Sequence, residues 1–188
     1  MSDSNITKLA LANSIKKLMV TKSINKISVS DIVEYCGLTR QAFYYHFKDK
    51  YDLLNWIYYT ETACFMSTYD TVDHWTDGLK ELCYYMRQNN VFYINALNTT
   101  GQNSFQEQLY DYISVISMSV IENMTGTEFD CKKWEYVVDI FTTAFVGLIV
   151  HWANEGMKED PTEYIASIRG IFDGSIYRVL EENARKTD

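Results

Sequence analysis

VSDIVEYCGLTRQAFYYHFKDKYDLL, running from Val29 to Leu54, holds two short helices and the turn between them. Ser28 and Asp31 stand in the S-x-x-D spacing of a capping box, in which each side chain satisfies a free N–H at the start of a helix. Val29, Ile32, Val33 and Cys36 make the inner face of that helix. Gly37 falls where a left-handed C-cap is expected. Leu38 then turns inward, and Thr39 caps a helix predicted over Arg40 to Phe47. The charged joint Lys48-Asp49-Lys50 leads into a further helix beginning near Tyr51. Two short helices across a glycine turn, braced by a third, form a helix-turn-helix.

The second helix of the pair has two faces. Ala42, Phe43 and Phe47 supply an inner one; Arg40, Gln41, Tyr44, Tyr45 and His46 supply a polar, aromatic outer one. Such a helix fits the major groove of duplex DNA, where arginine donates two bonds to guanine and glutamine pairs with adenine. Arg40, Gln41 and Tyr45 are the expected base contacts, Tyr45 packing on a thymine methyl. Ser28, Thr39, Tyr44, His46, Lys48 and Lys50 are the expected phosphate contacts. A solvated helix with core aromatics would explain Tyr44 or His46 singly, but not the ordered set.

Charge supports this division. The 188-residue chain carries a formal charge of −8, yet residues 1–50 hold eight Lys/Arg against four Asp/Glu, and the rest nine against 21. A basic head on an acidic body brings only the head to a polyanion. The chain is therefore divided into a DNA-binding head, 1–50, and an acidic body, 51–188. With 47% apolar residues, eight glycines and Pro161 as its one proline, the chain reads as a folded all-α protein of about nine helices.

Upstream, Leu9, Ala12, Ile15, Leu18 and Met19 mark an amphipathic first helix that ends in the polar stretch Thr21 to Lys26. Downstream, Trp75–Gln88 reads as a helix with Leu79, Leu82, Cys83 and Met86 inside, and Asn89–Ala96 as a short one. Phe105–Met124 has strand-like propensity over Ile113–Val120, but the spacing of Leu109, Tyr112, Ile116, Val120 and Met124 favours helix. Trp134, Val137, Phe141, Phe145, Leu148 and Trp152 mark a long helix closed by Gly156. Asp160-Pro161-Thr162-Glu163 starts the last, which carries Ile165, Ile168, Phe172, Ile176 and Val179.

Other chemistries find little support. The sequence has no nucleophile elbow, phosphate loop, zinc-protease or dinucleotide motif, so neither an enzyme nor a cofactor is expected. Asp70, Asp73, His74 and Asp77 are close enough to hold a cation, but they equally suit a loop and a helix start. Cys36, Cys64, Cys83 and Cys131 form no CxxC pair and read as reduced thiols of a cytoplasmic protein. MSDSNITK carries no signal-peptide core. The longest uncharged apolar stretch, Ile140–Asn154, is 15 residues, short of the roughly 20 needed to span a bilayer, so no membrane partner is expected.

The core GLTRQAFYYHFKDKYDLL, with its glycine turn, aromatic run and basic joint, resembles the DNA-binding head of the TetR family of bacterial regulators. The likeness covers about residues 6 to 55 and departs at Gln41, where many members carry glycine. RQAFYYHF is also similar to the subgroup containing dihydroxyacetone-kinase operon activators. The resemblance implies a homodimer on palindromic operator DNA, paired through its last two helices. Ala144, Gly147, Gly170 and Gly174, small residues at helical spacing, would allow close approach there, with Trp152, Phe172, Ile176 and Tyr177 alongside; packing within one chain is the alternative. It also implies a small-molecule effector pocket in the body, for which the surplus aromatics Tyr59, Tyr84, Tyr85, Tyr93, Tyr112 and Trp134 are candidates. The alternative is plain core packing, or a body that docks a sensor protein and binds no small molecule.

Overall fold

The computed structural model describes residues 3–68, 75–99, 104–125 and 131–170. Among these the protein is all-α. Its helices are α1 (Asp3–Met19), α2 (Val29–Cys36), α3 (Arg40–His46), α4 (Lys50–Thr68), α5 (Trp75–Gln88), α6 (Asn90–Leu97), α7 (Phe105–Thr125), α8 (Cys131–Asn154) and α9 (161–170). A single 3₁₀ turn, Ile24–Lys26, stands between α1 and α2 within the stretch read as polar loop. The described part of Ile113–Val120 is helical, so its spacing prevailed over its strand propensity.

The chain forms two compact units that do not follow a cut at residue 50. One comprises residues 1–64 and 89–109, the other 65–88 and 110–188. Thus α6 and the start of α7 belong with the helix-turn-helix.

In the first unit, α1 turns Leu11, Ala12, Ile15 and Met19 inward, while Leu9, expected on this stripe, is exposed. A four-residue step from Leu11 defines the buried line better than the step from Leu9. Ser14 Oγ, itself buried, donates to Ile32 O at 2.6 Å and ties α1 to α2. Ile24, Ile27, Ile32, Phe43, Phe47, Leu53 and Ile57 complete the core. Each such side chain contributes about 1.5–3 kcal/mol on burial. Behind them Tyr58, Phe92, Tyr93 and Phe105 pack as a ring cluster, Tyr58 and Phe105 at 4.5 Å between centroids and Tyr93 and Phe105 at 5.2 Å. Polar ties run through the same region. Lys16 Nζ donates to both oxygens of Glu61 at 2.7 and 2.9 Å, Tyr93 Oη donates to Glu61 Oε2 at 2.8 Å, and Asn95 Nδ2 donates to Met19 O at 2.7 Å.

In the second unit, α5 buries Leu79, Leu82, Cys83 and Met86 as expected. Burial pushes the Cys83 thiol up to about 12. Along α7, Tyr112, Ile116 and Val120 are buried. Along α8 the inward line is Trp134, Val138, Thr142, Phe145, Ile149 and Trp152. Val137, Phe141 and Leu148, expected on it, are half-buried. This helix is apolar on several faces, so apolarity alone could not fix its rotation. Gly156, at φ 83°, ends α8, with its N–H and that of Met157 donating to Ala153 O and Trp152 O at 2.9 Å each. Pro161 opens α9, and Asp160 Oδ1 accepts from Thr162 N at 3.0 Å.

Trp134–Asn154 is 21 residues long and its most apolar 18-residue stretch has a mean hydropathy of 1.6, enough by length and composition to cross a membrane. The 15-residue estimate stopped short because Glu135 and Asp139 interrupt an otherwise apolar run. A third of that stretch is buried within the chain, and core helices of folded proteins share this length and composition.

Candidate nucleic-acid interface

The turn before α3 is built by local rules. Ser28 Oγ accepts from Asp31 N at 3.1 Å and also donates to Asp31 Oδ2, while Ser28 N donates to Asp31 Oδ2 at 2.7 Å. This closed box contributes about 1 kcal/mol to helix stability. The Ser28 bonds hold the Asp31 carboxyl below its usual range. Gly37 has φ 69° and ψ 25°. Its N–H donates to Glu34 O at 3.3 Å and that of Leu38 to Val33 O at 2.9 Å, a Schellman ending. Thr39 Oγ1 accepts from Ala42 N at 3.1 Å and starts α3. Phe43 and Phe47 then anchor α3 from below. Phe47, expected in the helix, is instead its extended C-cap.

The other side of α3 faces outward. Arg40, Gln41 and Tyr44 are exposed, and Tyr45 is 82% exposed. The Arg40 guanidinium lies 6.0 Å from the centre of the Tyr44 ring, a cation–π arrangement that limits its wandering. His46, half-buried, meets Tyr45 edge-on at 4.9 Å. Lys48 is exposed, and its backbone N–H donates to Asp52 Oδ2 at 2.8 Å. Tyr35 of α2, 59% exposed, adds an aromatic group that sequence reasoning passed over; a lone tyrosine before the turn gave no signal of its orientation.

Two of the expected phosphate contacts, Ser28 and Lys50, have partners within the chain. Both donors of Ser28, hydroxyl and backbone, are taken by Asp31, whose carboxylate would repel a phosphate at that place. Lys50 does not project into solvent. Its Nζ donates to Ile24 O and Ile27 O at 2.8 Å each and reaches Asn25 O at 3.5 Å. Burial lowers its pKa from the ordinary value of 10.5.

The six aromatics proposed for an effector pocket divide between the two units. Tyr59 and Tyr93 lie in the first unit, and Tyr84, Tyr85, Tyr112 and Trp134 in the second. Tyr59 is 71% exposed, and Tyr93 is fully buried on Glu61. Tyr84 Oη donates to Asp160 Oδ1 at 2.9 Å, where Arg87 also pairs at 3.3 Å. Tyr85 packs on Phe65 at 5.7 Å, and Tyr112 Oη donates to Phe65 O at 3.3 Å. Trp134 packs with Ile121 and Val138. Of the cation candidates, Asp77 pairs with Lys80 at 2.8 Å, and Asp70, Asp73 and His74 lie outside the described residues.

For the proposed seam, Ala144 is half-buried, and Gly147 and Gly170 are exposed with no atom within 4 Å of an added Cβ. Trp152 is removed from it. It is 2% exposed, donates from Nε1 to Glu159 O at 3.1 Å and stacks on Tyr164 at 5.9 Å. Phe172, Gly174, Ile176 and Tyr177 lie outside the described residues.

A glycine-closed α2, a short α3 facing outward and α1 bracing both define a helix-turn-helix regulator. Residues 13–57 match the family profile described as bacterial regulatory proteins, tetR family, and residues 73–174 match that of a transcriptional regulator C-terminal region. The chain belongs to the TetR family of transcriptional regulators, which are not enzymes. Over 93 residues it is 33% identical to the HTH-type dhaKLM operon transcriptional activator DhaS of Lactococcus lactis subsp. lactis (strain IL1403), an alignment covering 50% of each protein. The chain therefore spans about half the length of that relative. The solved structure of the dihydroxyacetone kinase operon activator DhaS aligns at TM-score 0.70 and 21% identity over 92% of this chain and 97% of that one. NalD, the secondary repressor of the MexAB-OprM multidrug efflux pump in Pseudomonas aeruginosa, aligns at 0.62 and 17% over the same shares. At these identities the two structures establish a common fold.

Proposed function

We propose that the chain is a sequence-specific DNA-binding regulator that acts in the cytoplasm on palindromic operators as a homodimer. The observation that carries this reading is the outward face of α3 immediately after the Gly37 turn. Arg40 donates two bonds to guanine O6 and N7, Gln41 pairs with adenine N6 and N7, and Tyr45 packs on a thymine methyl. The Tyr44 ring beneath Arg40 lowers the entropy lost when the guanidinium is fixed on a base. Thr39, Tyr44, His46 and Lys48 take phosphates; the Thr39 hydroxyl accepts from Ala42 N and keeps its proton for this.

One head reads one half-site, so a palindrome requires two copies about a two-fold axis. The exposed face of α8, with Tyr136, Ile140, Thr143, Gly147 and His151, supports a seam there. Burial on one side within the chain and on the other against a second copy accounts for a helix that is apolar on several sides. Residues 51–188 then serve dimerisation and regulation: an effector bound there shifts the equilibrium between DNA-competent and incompetent arrangements.

A second reading for the body is docking of a sensor protein with no small molecule bound. Val115 of α7, 64% exposed in the second unit and outside the α8 seam, favours it.

Selection of bound duplexes from random DNA with the full chain tests the central reading. Enrichment of a two-fold symmetric site is the expected result; a pool that stays random after repeated rounds at low salt rejects it.

A further inference from the structure

We propose that Lys50 is a positioning residue, fixing the entry to α2 against the start of α4, and makes no phosphate contact. This deepens the DNA-binding reading and rests on it for its functional half. An ammonium group has three hydrogens. At Lys50 two of them meet Ile24 O and Ile27 O at 2.8 Å, and the third side is turned to Asn25 O at 3.5 Å. The acceptors surround the end of the 3₁₀ turn, where outward carbonyls attract a cation. Ile27 directly precedes the Ser28 cap, so the Lys50 bonds settle where α2 begins. The neighbouring Tyr51 repeats the tie, its Oη donating to Asn25 Oδ1 at 3.2 Å. Lys48, two residues earlier, is exposed on the same joint and keeps its ammonium group for a phosphate.

The two lysines separate by salt dependence. Each phosphate neutralised by a cation contributes about 0.9 to the slope of log K against log salt. A residue that only places other contacts alters K and leaves that slope alone. The test is fluorescence anisotropy of the full chain with the duplex enriched by site selection, across a salt series well below the unfolding temperature. Lys48→Gln is expected to flatten the slope by about 0.9. Lys50→Gln is expected to weaken binding about tenfold with the slope unchanged. Lys50→Arg is expected to stay weakened, because a planar fork does not reproduce the three-carbonyl seat, although its charge would satisfy a phosphate. A Lys50→Gln slope that flattens like that of Lys48→Gln, or full rescue by Lys50→Arg, overturns the proposal.

Amide hydrogen exchange keeps the result separate from the DNA-binding reading. In Lys50→Gln the amides of Lys26 and Ile27, which bond to Ser23 O and Ile24 O, are expected to exchange faster, while that of Phe43 in α3 does not change. Unaltered exchange at Lys26 and Ile27 refutes the positioning role even if no duplex is ever bound.

Discussion

Replacing Gly147 with alanine separates what one copy of the chain needs from what two copies need. Gly147 lies in the interior of α8, outside the positive-φ region, and is exposed with nothing within 4 Å of an added Cβ. Within one chain the methyl group costs no space and restricts the unfolded backbone. Glycine is about 0.8–1.0 kcal/mol worse than alanine inside a helix, so the single chain should gain about 1 kcal/mol. For a chain of this length that raises Tm by about 2–4 °C. Across a two-fold seam the sign reverses. Each copy brings its own methyl group into a close approach, and overpacking costs about 1–3 kcal/mol. The dimer dissociation constant should therefore rise about tenfold or more. Because association itself stabilises the folded chain, melting must be followed over a range of protein concentrations. Sedimentation equilibrium supplies the dissociation constant. A higher Tm at the lowest concentration together with weaker association is the expected pair. A lower Tm there would refute the open space beside Gly147, and an unchanged dissociation constant would remove Gly147 from the seam.

Three further outcomes are expected. Arg40→Ala and Gln41→Ala should each cost about 1–3 kcal/mol on the preferred duplex and relax preference at one base pair, as read by anisotropy on single-substituted sites; equal losses on all sequences would place these residues on phosphates. Thr142 is fully buried in α8 and its Oγ1 has no hydrogen-bond partner among the described residues, so Thr142→Val should raise stability by about 1–2 kcal/mol in urea unfolding, and a loss would show that the hydroxyl is satisfied. The Asp31 carboxyl titrates below its ordinary value of 3.8, so its stabilisation is complete above that value and fades as pH falls through the lowered one. The stability difference between the wild type and Asp31→Asn should shrink as pH falls below 3.8 and through the lowered value, and a difference that stays constant across an acid titration would contradict the capping role.

The head was legible because its signals are local. Ser28 with Asp31, Gly37, and Thr39 before an apolar pair each specify a backbone event within three or four residues, and the structure has each where the spacing put it. The same locality explains the misreadings. Lys50 sits in a charged joint and reads as solvent-facing, because its acceptors lie 23 to 26 residues upstream. Ser28 was assigned both capping, which uses its oxygen as acceptor, and phosphate binding, which needs the hydrogen that Asp31 Oδ2 takes. Trp152 looked like a surface anchor until the Glu159 carbonyl, seven residues on, took its indole N–H. In the body, tyrosines at helical spacing carry no mark of which unit they enter, so Tyr93 and Tyr84 could not be told apart as members of different cores.

The Lys16–Glu61–Tyr93 and Asn95–Met19 ties have a practical consequence for dissecting the protein. A fragment ending near residue 57, at the family-profile boundary, would lack Glu61, Phe92, Tyr93 and Asn95. It would leave the Lys16 ammonium without its carboxylate and open the apolar flank that Phe92 and Phe105 cover. A fragment that keeps these ties together must include residues 89–109 along with 1–64.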